Sequence, residues 1–109
     1  MYCVTFYHMD PAGDLTIGDR LTEAYPRHRA YLDEFAKGGQ VWMIGTFDDP
    51  FTNGSMAVFR CREAAEEFLS GDPFMTEGLV FRHEWREWSP LEFPADPDGL
   101  SSPEVPKGR

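Results

Sequence analysis

Cysteine is scarce in this chain: Cys3 and Cys61 are the only two in 109 residues. They form no CxxC pair and no disulfide framework, so a cysteine-stapled fold is excluded. Each reads as a core thiol in or beside a strand. Basic residues are also few, 10 Lys and Arg against 19 Asp and Glu, for a net charge of -9. Most of that charge lies in the first 89 residues, with 15 acids against 8 Lys and Arg. A nucleic-acid partner needs a basic face to neutralise its phosphates, and none is visible. The same acidity argues against anionic membranes. No run approaches the roughly 18–20 apolar residues of a membrane span. The N-terminus has neither a basic n-region nor an apolar h-region, so the expectation is a soluble, cytoplasmic protein. A phosphate loop, GxGxxG, GxSxG and a Cys–His nucleophile signature are all missing, which removes the common nucleotide and acyl-transfer chemistries. Three histidines without HxH or HxxxH spacing make no case for a metal site.

What is present is aromatic. Sixteen Phe, Tyr and Trp residues and a hydrophobic share of 41% make a globular composition with more rings than one thin core needs. Some of them fit a pocket or a subunit interface. Met1–Met9 is rich in aromatic and β-branched residues and predicts a strand. Asp10–Gly18 predicts a loop. Leu21, Tyr25, His28, Leu32 and Phe35 recur at helical steps. Pro26 interrupts that stripe, so the spacing predicts a firm helix over about Pro26–Lys37, with a kinked or separate turn before it. Gln40–Phe47, apolar on both faces, predicts a central strand. Ser55–Arg60 predicts its hairpin partner across a turn at Asp48–Gly54, where Asp48 and Asp49 read as solvated turn residues. Arg62–Leu69 predicts a short helix, Pro73–Glu77 a single turn, and Leu79–Trp88 an alternating, half-buried strand.

The order β-α-β-β-α-β is the ferredoxin-like arrangement, an α+β fold with an antiparallel sheet over residues 1–89. Two helices cover one sheet face. The large side chains left on the other face predict a homodimer packed sheet to sheet. Residues 90–109 hold five of the nine prolines and predict a proline-rich tail, mobile or laid over a neighbouring subunit.

His28 lies on the apolar stripe and not on the wet face of its helix. Two readings stand: a satisfied core histidine, or a general base with one nitrogen free. With Pro26 at the first helical position, His28 falls in the first turn, where the helix dipole favours neutral imidazole. Asp72, in the tight Ser-Gly-Asp-Pro joint, also has two compatible readings. It is an ordinary helix N-cap, or the carboxylate that fixes the tautomer of His28, as the acid of a catalytic triad does. His8 ends the first strand at a plausible pocket rim. Tyr7, Trp42, Thr46 and Phe74 either line a small cavity or pack the core. His83, beside Phe81 and Trp85, reads as a buried or interface histidine.

Several stretches together resemble one family. They are Arg27-His28-Arg-Ala-Tyr-Leu32, Lys37-Gly-Gly39, Ser70-Gly-Asp-Pro-Phe74 and Glu77-Gly-Leu-Val80. In combination with the opening strand they are similar to the YCII-related (YciI-like) family over about residues 1–90. The resemblance implies a dimeric α/β barrel of two ferredoxin-like subunits, a His28–Asp72 active site in a cleft beside the sheet, and no cofactor. Many relatives carry Arg three residues before the helix histidine. Here that place is Tyr25, which becomes a candidate pocket residue and leaves an anion-binding role there without its cation. The expected function is cofactor-free acid/base chemistry on a small, often aromatic molecule, of elimination, dehydrochlorination or isomerisation type. The alternative is a non-catalytic ligand-binding or accessory homodimer.

Overall fold

A computed structural model of the chain describes residues 1–10, 12–13 and 15–93. Most of the proline-rich segment expected at 90–109 therefore lies outside the described residues. Four strands, β1 (Tyr2–His8), β2 (Val41–Thr46), β3 (Ser55–Phe59) and β4 (Arg82–Trp88), form one sheet in the order β2-β3-β1-β4. All three pairings are antiparallel. The helices are α1 (Ile17–Ala36), α2 (Pro50–Asn53), α3 (Arg62–Gly71) and α4 (Pro73–Thr76). This is the ferredoxin-like α+β arrangement, with α2 a single turn inside the hairpin loop.

Strand alternation sends Cys3 of β1 and Ala57 and Phe59 of β3 towards the helices. They meet Ala64, Ala65 and Phe68 of α3, and Tyr31, Leu32 and Phe35 of α1 close over them. A second, smaller cluster of Leu21, Ala24 and Leu79 fixes the start of α1 against the chain leaving α4. The small Ala residues let α3 lie close to the sheet, while Phe35, Phe59 and Phe68 interlock at ring separations of 5.2–6.1 Å.

Three expectations are corrected. The first is the helix boundary, because α1 does not begin at Pro26. It runs unbroken from Ile17 with the proline inside it. An interior proline costs a helix about 3 kcal/mol. The first two turns survive because Leu21 and Ala24 are buried, and that packing outweighs local propensity. The second is β2, which lies at a sheet edge. Its apolar residues are only partly covered within one chain: Val41 and Ile44 pack against the core, Trp42 and Met43 remain exposed, and the pairing slips between Val41 and Met43. The third is the last strand, which starts at Arg82 and not at Leu79. Gly78, at φ 71°, turns the chain, and the Leu79 amide bonds to the Phe74 carbonyl at 2.9 Å instead of joining the ladder. The strand itself is exposed along most of its length, Trp85 and Trp88 included.

Pro26→Ala would restore the missing main-chain donor inside α1. The expected outcome is a gain of roughly 1–2 kcal/mol in unfolding free energy, after allowing for the looser unfolded chain. At about 4–8 °C per kcal/mol for a domain of this size, thermal melting reads the change directly. A lower melting point would mean the proline is accommodated without cost.

Candidate active site

The joint between α3 and α4 is built around one residue. Gly71 ends α3, and a Cβ there would lie 2.7 Å from the Tyr31 hydroxyl. Glycine is needed because that hydroxyl donates to the Phe68 carbonyl (3.0 Å), satisfying the end of α3 from the side of α1. Asp72 follows in extended geometry, and Pro73 starts α4 at its first position. The Phe74 amide donates to Asp72 Oδ1 at 3.2 Å, so Asp72 is a helix N-cap. It is also 0% exposed. A buried carboxylate needs more than one donor, and two more arrive from distant elements. His28 Nδ1 of α1 meets Oδ1 at 2.7 Å, and the Tyr7 hydroxyl of β1 donates to Oδ2. Asp72 thus caps α4 and pairs with His28 through the same oxygen.

Because an ionised carboxylate only accepts, it selects Nδ1–H on the imidazole and leaves Nε2 as the free nitrogen. The ring is further held by Phe74, stacked on it at a centroid distance of 4.0 Å with the planes 2° apart. His28 stands in the twelfth position of α1, mid-helix. The helix dipole therefore gives no reason for a neutral ring there, contrary to the first-turn expectation, since that field fades within a turn of the helix end. Burial pushes the Tyr7 hydroxyl well above its ordinary pKa, with the Asp72 charge and their hydrogen bond adding to it. Tyr7 is thus a fixed donor and not a base. Outside the core, Arg27 grips Glu77 with two nitrogens (2.8 and 3.0 Å) and Glu23 with two (2.9 Å each), tying α1 to the end of α4.

His28 is 8% exposed, and what remains open of it faces a cleft of about 1070 Å³ between α1, β2 and the hairpin loop. Tyr7, Tyr25, Thr46 and Phe74 line the same cleft, as does Trp42. The structure therefore gathers His28, Asp72 and four of the five expected pocket residues. His8 does not join them. Strand alternation puts it on the far sheet face, where Nε2 lies 3.4 Å from Glu84. It is one residue from Tyr7, and that single step along a strand decides the face. His83 pairs opposite Tyr7 on β4 and is exposed. Sequence reasoning missed the part of Tyr7 as a ligand to Asp72. Its only signal is the parity of the strand, which places Cys3, Thr5 and Tyr7 on the helix side together.

The YCII-related domain model matches residues 1–89, and the chain belongs to that family. No curated protein matches the chain in sequence. Among solved structures it is similar to 5-chloro-2-hydroxyhydroquinone dehydrochlorinase from Burkholderia phenoliruptrix, in complex with 2,5-dihydroxybenzoquinone. The TM-score is 0.63 at 19% identity, over 82% of this chain and 94% of that one. At that identity the likeness is one of fold. Among the described residues, no helix is long and apolar enough to cross a membrane.

The raised pKa of Tyr7 has a measurable consequence. Above pH about 10, where an unfolded tyrosine ionises, only the unfolded chain gives up this proton. The stability attached to Tyr7 is therefore complete below that pH and is lost as the pH rises beyond it, by about 1.4 kcal/mol per pH unit. Urea unfolding between pH 9 and 11 should show Tyr7→Phe losing stability less steeply than the wild type. Equal slopes would refute the buried hydroxyl.

Proposed function

We propose that this member of the YCII-related family is a small-molecule enzyme in which His28 moves a proton and Asp72 orients it. The observation that carries the reading is the pairing of His28 Nδ1 with a fully buried Asp72 at the wall of a large cleft. A fixed tautomer with one nitrogen turned to a cavity is what a general base requires. A histidine sealed in the core would have favoured an accessory or ligand-binding dimer.

Elimination, dehydrochlorination and isomerisation need little more than this pair. In a dehydrochlorination, His28 Nε2 would take one proton from the substrate, the freed electron pair would form the new double bond, and chloride would leave. The imidazolium would then return its proton to water, so that HCl is the net loss. Such a sequence uses no electron acceptor and no activated carrier, so the proposal includes no cofactor. Tyr25, Thr46 and Phe74 would shape the wall around a small, aromatic substrate. The structural neighbour acts on a chlorinated hydroxyhydroquinone by its title, which makes chlorinated hydroquinones a rational first panel.

The test is chloride release and ultraviolet absorbance over that panel. His28→Gln should lower turnover by about 10²–10⁴-fold, the usual contribution of a positioned acid/base group. Asp72→Asn should impair it too, because an amide cannot accept from all three donors. Full activity in His28→Gln would rule out the mechanism. Binding across the panel with no turnover by the wild type would instead establish the ligand-binding reading.

The proposal also includes a homodimer. Trp42, Met43, Phe47 and Trp88 are exposed large apolar residues on or beside the edge strands, and a second subunit packed sheet to sheet would reduce such exposure. Light scattering should find particles of twice 12.5 kDa. A purely 12.5 kDa species at micromolar concentration would remove the dimer.

A further inference from the structure

We propose that the cleft holds a second recognition point: the main-chain carbonyl of Thr22, freed by Pro26, accepts a hydrogen bond from a phenolic hydroxyl of the ligand. This rests on the reading of the cleft as a small-molecule site and narrows its ligand to a neutral, hydroxylated aromatic.

Pro26 lies inside an unbroken α1. It has no N–H, so the bond that would occupy the Thr22 carbonyl cannot form, and a proline ring crowds the carbonyl four residues before it. Thr22 and Pro26 are both exposed, and both line the cleft. The Thr22 hydroxyl is turned back one turn, donating to the Gly18 carbonyl at 2.8 Å. Pro26 is not buried, so core packing gives no reason for it. A costly residue at the wall of a cleft, without a packing role, is the pattern expected where stability yields to binding.

The chemistry of the wall defines the ligand. A carbonyl accepts and never donates, so it favours a hydroxyl and discriminates against an ether or a carboxylate. Arg29, the cation on the same wall, is already held by Asp33 at 2.9 Å and does not call for an anion. His28 lies six residues after Thr22, about 9 Å along the helix axis at 1.5 Å per residue. One substituted aromatic ring can bridge that span, with its hydroxyl on Thr22 and its reacting end at His28 Nε2.

Amide chemical-shift titrations by NMR with hydroquinone and 1,4-dimethoxybenzene test this, on the wild type and on Pro26→Ala. Alanine returns the helical donor and stabilises α1, so lost binding cannot be lost folding. The wild type should prefer hydroquinone, and Pro26→Ala should weaken hydroquinone about three- to tenfold, the range of one hydrogen bond. The dimethoxy compound should bind both proteins alike. An equal hydroquinone affinity in both proteins overturns the Thr22 site and leaves the proposed enzyme standing. A parallel loss for both compounds also overturns it, assigning the effect to cleft shape. Failure of both compounds to bind the wild type overturns both this site and the aromatic-ligand reading it rests on.

Discussion

One buried carboxylate organises this molecule. Asp72 accepts from the main chain of its own turn, from β1 through Tyr7 and from α1 through His28. Without three donors, a carboxylate at 0% exposure would carry a desolvation cost of several kcal/mol. With them, it locks two segments that lie 44 and 65 residues away along the chain to the start of α4. The same bonds that hold the joint set the tautomer of His28. Structure and chemistry are therefore not separable at this residue.

The surroundings serve that geometry. Gly71 lets Tyr31 finish α3, so the joint is rigid on both sides of Asp72. Gly54, at φ 78°, sits where any Cβ would fall 2.0 Å from the Tyr7 carbonyl, so only glycine lets β3 begin so close to Tyr7. Phe74 stacks on the imidazole and leaves it little rotational freedom. Such tight support beside an open cleft is what a positioned proton-transfer group needs, since small displacements cost much of the rate.

Much of the fold was legible in the sequence because it rests on local signals. Period-2 and period-3.6 patterns found all four strands and the two long helices, and Gly-Asp-Pro marked the α3–α4 joint. The failures share one cause. Helix α1 overran Pro26 because Leu21 and Ala24 are buried by residues far along the chain. β2 read as central because its two apolar faces said nothing of which neighbours it has. Leu79 read as a strand residue because alternation cannot reveal that its amide is taken by Phe74.

By itself, then, the sequence determined the element types, the acidic surface, and the pair His28 and Asp72 as the residues to watch. Motif and periodicity are properties of neighbours in the chain. Only the tertiary structure decided that Tyr7 completes the carboxylate's partners while His8, one residue on, faces away. It also decided that His28 is mid-helix, and that its free edge opens to a cleft. Those outcomes depend on strand parity, sheet order and burial, and each of these is set by contacts between residues that local pattern cannot relate.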